Sequence, residues 1–205
     1  MASAREMKSY TDPLPDYAPQ LVRALILTAQ QTDLSGDVID MGCGNGRMTF
    51  PLLDIFTGRV AGVDSSLDGM IRVAEKARAT LSKEKAARVS FHCQTFSAPL
   101  PFAPAAVTFW NSWHFVADVA VMIEQLKREA PASTVYIREP GKKSRFSFDN
   151  PDKLAQKVKE VEHNLDCLMA CVGTAQLHVL YFARETDCGY TMIFRFDRVK
   201  SHASD

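Results

Sequence analysis

DVIDMGCGNGR, running from Asp37 to Arg47, joins a short apolar pair to a run of alternating glycines. Val38 and Ile39 read as the end of a buried strand that Asp40 closes. Gly42, Gly44 and Gly46 then form a turn almost without side chains, in which the backbone takes positive φ and comes close to a ligand. A strand, a glycine loop and a helix in this order bind nucleotide-like molecules at the carboxyl end of a parallel sheet. The dinucleotide fingerprint G-x-G-x-x-G, counted from Gly42, needs its third glycine at position 47, where Arg47 stands. The pattern present is D-x-G-x-G-x-G, with an acid on the strand itself. Both features disfavour an NAD-dependent oxidoreductase.

Outward from this loop, helical and strand patterns alternate. On the amino-terminal side, residues 1–16 are polar and broken by Pro13 and Pro15, an irregular arm; apolar positions 17, 21, 22, 25 and 29 then fit one helical face. On the carboxyl side a helix is expected from just after Gly46 to about Phe56. Val60 to Val63 forms a second strand ending at Asp64, with Ser65 or Ser66 to cap a helix whose body is Met70 to Leu81. Arg88 to Cys93 is a third strand and Ala106 to Trp110 a fourth. Asp118 opens a helix with its apolar stripe at 119, 122, 123, 126 and 130. Thr134 to Ile137 is a fifth strand, followed by a loop from Arg138 to Asn150. Asn150-Pro151 starts a long helix lined by Leu154, Val158, Val161, Leu165 and Leu168. Two strands, Leu177 to Ala183 and Tyr190 to Phe196, follow each other directly across Asp187-Cys188-Gly189. The alternation predicts a doubly wound α/β fold with a parallel sheet, and the final pair an antiparallel hairpin at its edge.

Length and composition fit this reading. With 205 residues, 46% hydrophobic and 23% charged, the chain suits one globular domain over 1–205, with 199–205 as a tail. Lysine plus arginine and aspartate plus glutamate number 24 each, so no global field draws the chain to nucleic acid or an anionic membrane. The longest apolar run, around Ala24 to Leu27, is far below the ~20 residues a membrane span needs, and the amino terminus has no signal-peptide pattern. The cysteines, at 43, 93, 167, 171 and 188, form no CxxC pair, so neither a disulfide framework nor a metal site is indicated and a cytoplasmic setting is expected.

The D-x-G-x-G-x-G loop with Asp64 at the next strand end resembles the first two motifs of the class I S-adenosylmethionine (SAM) dependent methyltransferases. The segment Val89 to Phe102, VSFHCQTFSAPLPF, resembles the third-strand motif of the small-molecule members. The resemblance implies a Rossmann-like seven-stranded sheet, mostly parallel with its last strand antiparallel, and SAM as cofactor. It places Asp40 near the ammonium of the methionyl part and packs Gly42, Cys43, Gly44 and Gly46 against the ligand. Asp64, followed by Ser65, takes both ribose hydroxyls, for which a carboxylate's paired acceptors are suited. Met70 and Ile71 supply an apolar surface near the adenosine, and Thr95 and Phe96 line the adenine pocket. The family's adenine-binding acid has no counterpart here: Gln94, Thr95, Phe96 and Ser97 occupy that segment.

The fourth strand runs into Trp110-Asn111-Ser112-Trp113-His114-Phe115, which in related enzymes walls the acceptor pocket. Trp110 and Asn111 are candidates for holding the acceptor, Asn111 also for touching the cofactor, since this strand end lies beside the sulfonium in related enzymes. Strand alternation lets one of Trp110 and Trp113 face the ligand. His114 is the candidate base if the nucleophile is protonated, as an amine or phenol is. The basic run Arg138, Lys142, Lys143 and Arg145, with Glu139, Phe146 and Phe148, and the arm residues Tyr10, Asp12 and Tyr17 are expected around the pocket. The reading is a methyltransferase acting on a small-molecule acceptor, with no nucleic-acid or membrane partner; the sequence is silent on oligomeric state. A catalytically silent relative serving as a binding subunit stands as the alternative.

Overall fold

A computed structural model describes residues 32–139, 151–184 and 189–197. In chain order the elements are β1 (Val38–Met41), α1 (Thr49–Ile55), β2 (Val60–Asp64), α2 (Leu67–Thr80), α3 (Lys83–Arg88), β3 (Val89–Cys93) and β4 (Ala106–Trp110). A single 3-10 turn (Trp113–Phe115) leads to α4 (Val119–Glu129), β5 (Thr134–Glu139), α5 (Pro151–Thr174), β6 (Leu177–Arg184) and β7 (Tyr190–Phe196). The expected arm, the helix from Tyr17, residues 140–150, the turn at 187–188 and the tail lie outside the described residues.

The strands make one seven-stranded sheet in the order β3-β2-β1-β4-β5-β7-β6. The first five are mutually parallel, and β7 lies antiparallel between β5 and β6. β1, β4 and β5 are buried along their whole length, and the sequences of β1 and β4 are accordingly apolar save for Asp40 and Thr108. From β1 the chain steps outward to β2 and β3, then returns to place β4 on β1's other side. That reversal leaves a crevice at the carboxyl ends of β1 and β4, where open α/β sheets bind ligands.

Helices cover both faces. Ile39, Val107, Phe109 and Ile137 meet α4 and α5 through Ile123, Leu126, Val161, Leu165 and Leu168. On the other face Val38, Val60, Ala106 and Tyr136 meet α1 through Leu52, Leu53 and Phe56. The predicted stripes of α4 and α5 are the faces that point inward. Asp118 caps α4 by accepting from the Val121 N–H at 3.0 Å, and Ser66 rather than Ser65 caps α2, accepting from Gly69. Among the described residues no helix is long and apolar enough to cross a membrane.

Two features differ from what the sequence predicts. β5 continues two residues beyond Ile137, so Arg138 and Glu139 are buried strand residues and not part of a loop. Charged residues at a strand's end resemble a loop in sequence; here the antiparallel β7 pairs with both and keeps the strand going. The short α3 was not foreseen because it buries no residue and so leaves no apolar period. Its last residue, Arg88, donates to the carbonyls of Leu53, Phe56 and Gly58 and thereby closes the end of α1.

Candidate active site

The glycine loop adopts the conformation its sequence demands. Gly42, Gly44 and Gly46 have φ of 76°, 51° and 79°, values that L side chains avoid. Two of the three also serve packing. A Cβ on Gly42 would lie 2.3 Å from the Ser112 Cβ, and one on Gly46 would lie 2.7 Å from Val73 Cγ2. Bareness at 42 seats the loop against the end of β4, and bareness at 46 seats α1 against α2. The N–H groups of Gly42 and Cys43 both bond the Val63 carbonyl, at 2.7 and 3.0 Å. Gly44 donates its N–H to Asp64 Oδ2 at 3.0 Å.

The two acids stand on either side of this loop but in different environments. Asp64 is half-buried and accepts from the Gly44 and Ser66 N–H groups, which hold its carboxylate at the loop's edge. Asp40 is only 1% exposed; it accepts from the Thr49 hydroxyl at 2.6 Å and the Thr108 hydroxyl at 3.0 Å. Burial pushes its pKa up to about 6, with the Asp64 charge adding to the rise and the two threonines opposing it. The direct contact with a ligand's ammonium expected for Asp40 is therefore not what this geometry offers. Asp40 lies behind the loop, where it ties Thr49 and Thr108 together.

The residues expected around the adenosine divide. Cys43 and Met70 share a small buried cluster with Val73, Sγ and Sδ 4.0 Å apart, so their side chains support the loop from below. Burial and the two nearby carboxylates raise the Cys43 thiol's pKa, which makes it inert as a nucleophile. Of the expected pair Met70 and Ile71 only Ile71 is exposed, alongside Leu67. Ser65 is exposed and its carbonyl faces the Cys93 thiol. Gln94 bonds the Asp64 carbonyl through its N–H at 3.0 Å, drawing the loop after β3 up to the acid. Thr95 is exposed and bonded to Ser97, while Phe96 stacks edge-on against Phe109 and reaches the loop beside Gly42.

At the other end of the crevice, Trp110 and Trp113 lie on opposite faces of the sheet. Trp113 is fully enclosed against Phe109, a core residue. Trp110 has the Arg138 guanidinium 5.3 Å from its ring centre. Asn111 has φ 56°, the reversal that turns the chain off the strand; its N–H bonds the Arg138 carbonyl, and its Oδ1 accepts from Lys157 of α5 at 3.0 Å. His114 is buried and held by Glu139.

Residues 38–130 match the family model of a methyltransferase domain. That match spans just under half of the chain and takes in the glycine loop, both acids and the turn after β4. A SAM-dependent methyltransferase from Aquifex aeolicus is similar over 95% of this chain and 98% of its own, with TM-score 0.64 and 16% identity. The glycopeptide N-methyltransferase MtfA, complexed with SAM, covers 91% of this chain and 90% of its own at TM-score 0.62 and 14% identity. The [4+2]-cyclase SpnF is also similar, over 78% of this chain and 59% of its own, at TM-score 0.56 and 20% identity. No curated protein matches the sequence.

Within this methyltransferase domain and the elements after it, several residues at the site escaped the sequence reading. Thr49 and Thr108 hold Asp40, and Lys157 and Asn164 hold the turn after β4 together with Glu139, which was expected near the pocket but in a loop and not on the strand. Glu139 had a signal: it continues the alternation of Val135 and Ile137 on one face of β5. Lys157 and Asn164 had none, because a helix far along the chain reaches the crevice only through the fold.

Proposed function

We propose that this chain binds SAM and transfers its methyl group to a small-molecule acceptor. The observation that carries the reading is the link from Asp64 to Gly44, which sets a half-buried carboxylate against a positive-φ glycine loop at the sheet's switch point. The residues present fit the cofactor. Asp64 would take the ribose diol, the glycine loop with Asp40 behind it the cationic amino-acid end, and Phe96 with the backbone of Thr95 the adenine. SAM supplies a methyl already activated by the positive sulfonium. The chain's own contribution is then to hold the acceptor in line, exclude water and move a proton where one is present. Asn111 at the end of β4, with Trp110 behind it, would position the acceptor. Balanced charge supports a small molecule over a nucleic acid as that acceptor.

Isothermal titration with S-adenosylhomocysteine, the demethylated product, tests the cofactor reading. Micromolar binding is expected, and absence of heat with both SAM and its product overturns it. The second reading, a SAM-binding protein without transfer activity, is favoured by the loss of the adenine-binding acid at 94–97. Incubation with tritiated-methyl SAM and a panel of small acceptors separates the two once binding is seen.

A further inference from the structure

Glu139 is fully buried at the carboxyl end of β5, and both of its oxygens face the turn after β4. Oε1 accepts from the His114 backbone N–H at 3.2 Å, and Oε2 lies 2.9 Å from His114 Nδ1. A carboxylate accepts only, so Nδ1 carries the proton of this bond. From the opposite side the buried Asn164 of α5 donates through Nδ2 to the carbonyls of Trp113 (2.9 Å) and Val116 (3.0 Å), on either side of His114. Phe115 lies against the imidazole with ring centres 3.9 Å apart. The ring is thus fixed at one nitrogen and its backbone turn is fixed from two elements. Nε2 has no hydrogen-bond partner among the described residues, and the side chain as a whole is 3% exposed.

Burying a carboxylate costs several kcal/mol even when it is paired, and an apolar residue would pack this strand end at lower cost. The arrangement is one that suits a base: a carboxylate behind the imidazole sets its tautomer and stabilises the imidazolium that forms when Nε2 takes a proton. The other polar group across from Glu139 is Tyr190 of β7, paired with it in the sheet; burial and the Glu139 charge raise that phenol's pKa, so it keeps its proton. Lys157 and Arg138 lie at Asn111 and Trp110, on the approach to the turn.

We propose that Glu139 is a positioning residue that makes His114 the general base of methyl transfer, and that the acceptor is therefore a hydroxyl or an amine. This rests on the cofactor reading above. In the step, Nε2 takes the O–H or N–H proton, and the oxygen or nitrogen lone pair forms the bond to the methyl carbon. The carbon–sulfur pair returns to sulfur, leaving a neutral thioether, and the proton passes from the imidazolium to water as product leaves. Acceptors that attack without losing a proton, such as carboxylates or thiolates, have no use for this pair.

The test uses the full chain, tritiated-methyl SAM and a panel of phenols, alcohols, amines, thiols and carboxylates. Transfer to a hydroxyl or amine is expected. With that acceptor, His114→Asn lowers kcat roughly 100-fold or more and Glu139→Gln roughly 10-fold or more, while binding of S-adenosylhomocysteine stays within about twofold. Exogenous imidazole restores turnover to His114→Ala, an effect that a merely structural histidine does not give. In nitrogen-15 spectra of the product-bound protein, His114 carries its proton on Nδ1, and Glu139→Gln shifts it toward Nε2. If Glu139→Gln does not fold, the two His114 variants carry the test. Unchanged kcat in a His114 variant that still binds product overturns the inference, as does transfer to thiols or carboxylates alone. Intact product binding with transfer to no hydroxyl or amine overturns it while leaving the cofactor reading standing. A wild-type chain that binds neither SAM nor its product removes both.

Discussion

Asp40 and Asp64 are both strand-end aspartates, yet their surroundings give them different work. Asp64 keeps lone pairs at the edge of the crevice, whereas Asp40 is enclosed with two threonines. Replacing Asp64 by alanine removes a carboxylate that would accept from two ribose hydroxyls and already accepts from Gly44. Hydrogen bonds to charged groups contribute about 1.5–3 kcal/mol each, so titration should show product binding weakened at least roughly 10-fold. Asp40 makes a prediction about pH. Its pKa of about 6 in the folded chain is above the unfolded value, so the folded state holds that proton more tightly. The stability it contributes is fully present below about pH 4 and is lost as pH rises through about 6, a change of about 3 kcal/mol. Urea melts of the ligand-free protein should therefore show Asp40→Asn gaining on wild type between pH 4.5 and 7. A constant gap over that window would show that Asp40 ionises normally in its enclosed position. The residue scale also carries the missing adenine acid. Thr95→Asp would offer the adenine amine an acceptor, and tighter product binding by about 0.5–1.5 kcal/mol is the expected result in the same titration.

Between elements, the glycines and one arginine decide how α1 is held. Gly46 sets α1 against α2 at a distance no side chain permits, with Val73 Cγ2 2.7 Å from where a Cβ would be. Gly46→Ala combines a left-handed backbone cost with overpacking, and chemical denaturation should register a loss of about 2–4 kcal/mol. Arg88 bonds three carbonyls at and beyond the end of α1, and Arg88→Ala should cost about 1–3 kcal/mol by the same measurement, with product affinity little changed. The contrast between the two variants separates elements that form the binding loop from those that only support it. At this scale, α1, α2, α4 and α5 were legible because each buries an apolar face that recurs along the sequence. α3 has no such face, and the end of β5 carries charge, so neither declared itself.

For the molecule as a whole, the crevice at β1 and β4 is bounded by residues drawn from well-separated parts of the chain. A ligand that binds there only in the folded state stabilises all of it. Product at 100 times its Kd should add about 2.7 kcal/mol, which for a chain of this size raises Tm by roughly 5–10 °C. Differential scanning fluorimetry checks this, and Asp64→Ala should lose most of the shift at the same product concentration.

The sequence alone determined the loop, its two acids, the alternation of strands and helices, and hence the doubly wound sheet, because these are written in local backbone requirements and short periods. The φ values that Gly42, Gly44 and Gly46 need can be read from the glycines themselves. Only the tertiary structure decided what each side chain faces. It enclosed Asp40 between Thr49 and Thr108, turned Cys43 and Met70 into the core, separated Trp110 from Trp113, and brought Glu139 and Asn164 onto the turn that carries His114. Those contacts join residues from 9 to 68 positions apart at Asp40 and from 25 to 51 apart at that turn. No local pattern encodes such pairings; the packing of strands and helices around a shared core makes them.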